Sequence, residues 1–174
     1  MVVWLIFLGS ACPFLKILLE RRMYTRAELS KIRTEFWITF GQYMKPVPNA
    51  QGRRINWPNY KTGVKDIYFR MRAERDYAAI AIELAHADLE MQELVLDQFG
   101  QLKKIFEQCL QEEWSWKLHV ANDLGQLTSK IECILEEVNV LNSEDWPRII
   151  SFLKPRIIAL DDFWDQVKPG FEDF

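Results

Sequence analysis

Cysteine and histidine are scarce: three Cys (Cys12, Cys109, Cys133) and two His (His86, His119) in 174 residues. The cysteines form neither a disulfide framework nor a paired metal knuckle, and two histidines leave little for zinc chemistry. Net charge is small as well. At −3, the field of the whole chain does not draw in nucleic acid, which excludes a protein that coats DNA by bulk charge. No repeat, low-complexity tract or linker divides the sequence. What is plentiful is large apolar side chains: 49% hydrophobic and 13% aromatic, with seven Trp and eleven Phe. That composition excludes disorder and provides for a substantial core.

The first residues, MVVWLIFLGSACPFLKILLERR, differ from everything after them. As a signal peptide they lack a positive n-region. As an anchor, Val2 to Leu19 approaches the ~20 residues that span a bilayer, but Pro13 and Lys16 interrupt the run. The preferred reading is an over-called start at 1–22, with Met23 the true initiator and 23–174 a single α+β domain. Thr25 and Glu28, just beyond Met23, have capping-box spacing. A start at Met23 implies a cytoplasmic protein with no membrane contact.

Charge is unevenly placed. Residues 45–75 carry eight basic side chains against Asp66 and Glu74, whereas 132–174 carry ten acids against four bases. The basic stretch also holds aromatic rings. Arg53, Arg54, Trp57, Lys61, Arg70 and Arg72 are therefore candidates for contacting phosphates while rings stack on bases, and Trp57, beside Pro58, is expected to be the exposed ring. Alternation of outward strand residues produces the same spacing with no ligand at all.

Helical periodicity in Leu29, Ile32, Phe36, Phe40 and Tyr43 predicts a helix over 25–44. Pro46, Pro48 and Gly52 end it. A strand is expected around Arg54–Tyr60, at an edge or bulge because of Pro58. Ile67, Phe69 and Met71 then alternate with polar neighbours, as do Ala78, Ile80, Ile82 and Leu84 across a short turn. With Arg72 opposite Tyr77, Phe69 faces Ile80, Ile67 faces Ile82, and Asp66 faces Glu83. A helix from Asp88 to Gln111 follows, weakened at Gly100. Trp114, Trp116, Leu118 and Val120 mark a strand, Ser129–Glu136 returns as another, and 143–167 is helical with a break or kink at Pro155. Asp161, Asp162 and Asp165 read as a solvated face. The sum is an α+β fold, with a mixed or antiparallel sheet of about five strands in the order α-β-β-β-α-β-β-α.

The triplet Lys61-Thr62-Gly63 matches an element of penicillin-recognising serine enzymes. Their Ser-x-x-Lys element occurs only downstream, at Ser151–Lys154, and no Ser-Asp-Asn exists. The triplet is therefore a turn, with Gly63 its permissive residue.

The stretches EFWITFGQYMKPVP, INWPNYKTGVKDIYFRM, IAIEL, EEWSWKLH and DWPRIISFLKPRIIALDDFW resemble a bacterial family catalogued as domain of unknown function 4268. The resemblance runs from Met23 to the C-terminus and agrees with a start at Met23. Members of that family occur alone or joined to restriction-endonuclease-like modules, which implies a setting in DNA defence or processing. The family brings no established activity, so it transfers no catalytic residue.

Two functional readings follow. The preferred one is a non-catalytic binding module whose partner is nucleic acid or a nucleic-acid-processing protein, with no cofactor and an oligomeric state left open. The alternative is a variant or degenerate nuclease. Asp66 and Glu83, opposed on one sheet face, repel unless something neutralises them. PD-(D/E)xK nucleases hold Mg²⁺ with such acids in an α-β-β-β-α-β core, and two oxygen ligands here offer the same. Their usual Lys two positions after the second acid is Ala85 in this chain, so Lys65 or Lys61 would have to stand in. Catalytic candidates are thus Asp66, Glu83 and Lys65, and metal ligands Asp66 and Glu83. His86, in a loop near Glu83, has the chemistry of a general base but no evident partner.

Overall fold

A hairpin sets the frame. The computed structural model describes residues 25–122 and 124–172, so the expectation for residues 1–22 lies outside the described residues. β1 (Ile67–Ala73) and β2 (Tyr77–Leu84) pair antiparallel, with Phe69 opposite Ile82 and Ile67 opposite Leu84. This register is displaced by two residues from the expected one. A shift of two preserves the side-chain parity of a strand, so Ile67, Phe69, Ile80 and Ile82 still share the inner face. Glu74 N–H donates to Tyr77 O across the turn. β1 thus runs one residue further than the sequence suggested, to Ala73 opposite Ala78.

β3 (Ser115–Ala121) and β4 (Leu127–Glu136) complete a four-stranded antiparallel sheet in the order β1-β2-β4-β3. The fifth strand expected near Arg54–Tyr60 does not form. Pro58 has no N–H to give a ladder, and Trp57–Asn59 close a 3₁₀ turn instead. The segment is held by its ring: Trp57 is only 1% exposed, and its Nε1 donates to Val47 O at 2.9 Å. The expected exposed ring is thus a core side chain.

α1 (Arg26–Met44) opens on the capping box anticipated at Thr25 and Glu28. Its buried residues are Phe36, Phe40 and Met44, so the stripe advances by fours and leaves Tyr43 exposed. The single helix expected over 88–111 is two: α2 (Leu89–Gln101) and α3 (Lys103–Leu110), joined at Leu102 with φ −93° and ψ 4°. α4 (Trp146–Val167) passes through Pro155 without being split. Among the described residues the order is therefore α-β-β-α-α-β-β-α, an α+β fold with four α-helices and four strands.

The helices gather on one side of the sheet. Trp164 of α4 lies 5.6 Å from the Phe69 ring and 6.2 Å from Phe99 of α2. Phe106 of α3 lies 6.2 Å from Trp116 of β3. Burial of these rings is the main stabilising term of the fold, at about 25 cal/mol per Å² of apolar surface. No described helix is long and apolar enough to cross a membrane.

Candidate nucleic-acid interface on the open sheet face

Strand alternation sends every second residue to the face away from the helices. Tyr68, Arg70 and Arg72 leave β1 on that side, Glu83 leaves β2, Lys130, Glu132 and Glu136 leave β4, and Lys117 leaves β3. The register sets Tyr68 beside Glu83, Glu83 beside Lys130 and Lys130 beside Lys117, a row crossing all four strands. Ala79 and Ala81 on β2 are buried between the larger side chains.

The charges on this face are cross-linked. Glu83 is 7% exposed. One of its oxygens accepts from Arg72 Nη2 at 2.9 Å, and the other lies 3.9 Å from Arg70 Nε. Lys117 Nζ meets Glu132 Oε1 at 2.6 Å. Arg70 also lies over the Tyr68 ring, 4.3 Å from its centroid, a cation–π placement. Arg70 and Lys117 remain about half exposed, while Lys130 is only 5% exposed. Four cations (Arg70, Arg72, Lys117, Lys130) thus share the face with three carboxylates (Glu83, Glu132, Glu136).

The other basic candidates lie elsewhere. The loop carrying Arg53, Arg54 and Lys61 docks on the helical layer. There Ala50 N–H and Tyr60 Oη both donate to Asp161 of α4 at 2.6 Å, and Trp164 Nε1 donates to Thr62 O at 2.9 Å. The structure therefore separates Arg70 and Arg72 from Arg53, Arg54, Lys61 and Trp57. Asp161 is not a solvated residue, at 3% exposure. The chain bends at Gly63, with φ +76°, and turns at Lys65–Asp66 rather than at Lys61–Thr62; the Thr62 hydroxyl donates to Ile67 O at 2.7 Å.

Asp66 and Glu83 are not opposed across the strands. The two-residue displacement places Tyr68 opposite Glu83, and Ala85 N–H donates to Asp66 O at 2.8 Å. Asp66 itself has φ +58° as the chain enters β1, and its carboxylate lies 3.8 Å from Lys65 Nζ. A metal on both acids would have to take Glu83 from Arg72. Among the described residues, no three His, Cys, Asp or Glu side chains gather as a metal site. His86 is buried, and burial is the main cause that lowers its pKa from the usual imidazole value. Lys65 lowers it further, while Asp66 and Asp88 raise it. Its ring therefore favours the neutral form. His119 lies at a β-bulge with φ +48°, its Nε2 3.3 Å from Leu89 O.

Lys117, Lys130, Glu132 and Glu136 are the charged members of the face that sequence reasoning passed over. The available signal was parity: Lys130 and Glu132 alternate with Ile131 and Cys133, so they share a side of their strand.

Fold and site together define a class: an antiparallel four-stranded sheet with helices on one face and a charged, ring-bearing surface on the other. The chain belongs to the family described as Domain of unknown function (DUF4268), whose model matches residues 32–168. No curated protein and no solved structure matches it.

Proposed function

We propose that the chain is a non-catalytic nucleic-acid-binding module and that the open sheet face is its interface. One observation carries the reading: four cations outnumber three carboxylates on a single face that also carries the Tyr68 ring. Phosphates are the natural partners of such a surplus, because neutralising them releases condensed counterions. The non-catalytic part rests on Glu83, whose carboxylate already has Arg72 and Arg70 as partners.

Fluorescence anisotropy of labelled single- and double-stranded oligonucleotides with the full chain, at low and at physiological salt, tests the proposal. Binding that weakens with salt is expected, and it should weaken further in Arg70→Glu and Lys117→Glu. An absence of binding at low salt rejects the interface.

A further inference from the structure

The arrangement around Tyr68 carries the reading one step further. We propose that this face takes single-stranded rather than duplex nucleic acid, with an unpaired base stacked on the Tyr68 ring; the inference rests on the sheet face being the nucleic-acid interface.

Three features support it. The first is the ring itself. Arg70 Cζ lies 4.3 Å from the Tyr68 centroid, so a flat, delocalised group already covers the π-face that a base would use. Arg70 is 49% exposed and only 3.9 Å from Glu83, so it can swing aside towards a phosphate or remain as the far wall of a stack. Aromatic platforms flanked by cations are the recurring means of holding unpaired bases.

The second feature is shape. Four strands at about 4.8 Å spacing make a face about 14 Å wide between its outer strands. A B-DNA major groove of ~12 Å admits a helix or a two-stranded ribbon, not a surface of that breadth. A duplex would therefore touch this face through phosphates alone, with its bases out of reach of Tyr68.

The third is the layout of charge. The row from Tyr68 through Glu83 and Lys130 to Lys117 sets a ring at one edge strand and an exposed cation at the other. A strand crossing the sheet can stack a base on Tyr68 and bring a later phosphate to Lys117.

The test uses the full chain with a labelled single strand of about 12 nucleotides, within the ~4–16 nucleotide range of such platforms, and a duplex of the same length. Two variants separate the π-face from mere bulk: Tyr68→Phe keeps the ring, and Tyr68→Leu keeps apolar volume without it. The inference expects Tyr68→Leu to lose about 5- to 150-fold in single-strand affinity, Tyr68→Phe to bind as the parent does, and duplex affinity to be unchanged by either. Single-strand binding unaffected by Tyr68→Leu overturns the inference and leaves the interface standing, as does equal affinity for duplex and single strand. Failure to bind either probe at low salt removes the interface and the inference with it. Circular dichroism melts confirm that both variants are folded.

Discussion

Tyr60 and Asp161, 101 positions apart in the chain, meet at 2.6 Å, and this bond ties the long loop to α4. Asp161 is nearly fully buried, so each donor it keeps matters. Tyr60→Phe removes one of them, and a hydrogen bond to a charged group contributes about 1.5–3 kcal/mol. Urea denaturation should show a loss of that size. Burial first, then the bond to Asp161 and the charges of Asp161 and Asp165, push the Tyr60 pKa far above the usual phenol value. The unfolded chain therefore ionises this ring first, so the contribution of Tyr60 is complete below about pH 10 and declines as pH rises beyond it. His86 runs in the opposite direction. Its folded pKa is lowered, chiefly by burial, so the unfolded state binds the proton more readily, and stability is lost as pH falls below about 6.5. His86→Asn should flatten the dependence of the urea midpoint on pH between about 7 and 5, and an unchanged slope would clear His86 of that role. Neither arrangement was legible beforehand. Asp161 lies among Asp162 and Asp165 in a run that looks like any solvated helix face, and only a partner brought in by tertiary folding distinguishes it. The same holds for Trp57, whose neighbour Pro58 suggests exposure until Val47 arrives to accept its N–H.

Among the elements, those with a strong apolar period were legible, and those decided by a single backbone angle were not. Alternation told which residues of β1 and β2 share a face, because parity survives any even shift. It did not fix which pairs meet, and the two-residue displacement is what separates Asp66 from Glu83. The apolar stripe of 88–111 runs through Leu102 without interruption, so the break between α2 and α3 left no mark except nearby Gly100. Residues 114–120 alternate cleanly in sequence, yet the bulge between Lys117 and Val120 turns Leu118 out to solvent. Gly100 gives a direct test of how much the α2 terminus costs. It is exposed, and a Cβ built there meets nothing within 4 Å. Gly100→Ala should therefore stabilise the fold by about 0.5–1 kcal/mol through helix propensity, seen as a higher melting temperature. A lower one would mean that the turn at Leu102 requires the freedom of glycine two residues before it.

At the scale of the whole molecule, a chain of net charge −3 can attract a polyanion only if its charges are segregated. Acids crowd the C-terminal third, while Arg70, Arg72, Lys117 and Lys130 share the sheet face. Even there, Glu83 holds Arg72 and Arg70 at ion-pair distance, and Glu132 holds Lys117. The surplus available to phosphates is therefore smaller than a count of basic residues suggests, and salt dependence measures it. For a single strand, the slope of log K against log salt is about −0.7 per neutralised phosphate. A net surplus of one cation then predicts a slope of about −0.7, whereas four unpaired cations would give about −2.8. Glu132→Gln keeps the shape of the side chain but releases Lys117 from its charge partner. It should tighten binding at low salt and steepen the slope to about −1.4. Anisotropy titrations of the parent and this variant across several salt concentrations decide the matter. If the slope does not respond to loss of the Glu132 charge, Lys117 does not contact phosphate, and the binding track does not extend across the sheet to β3.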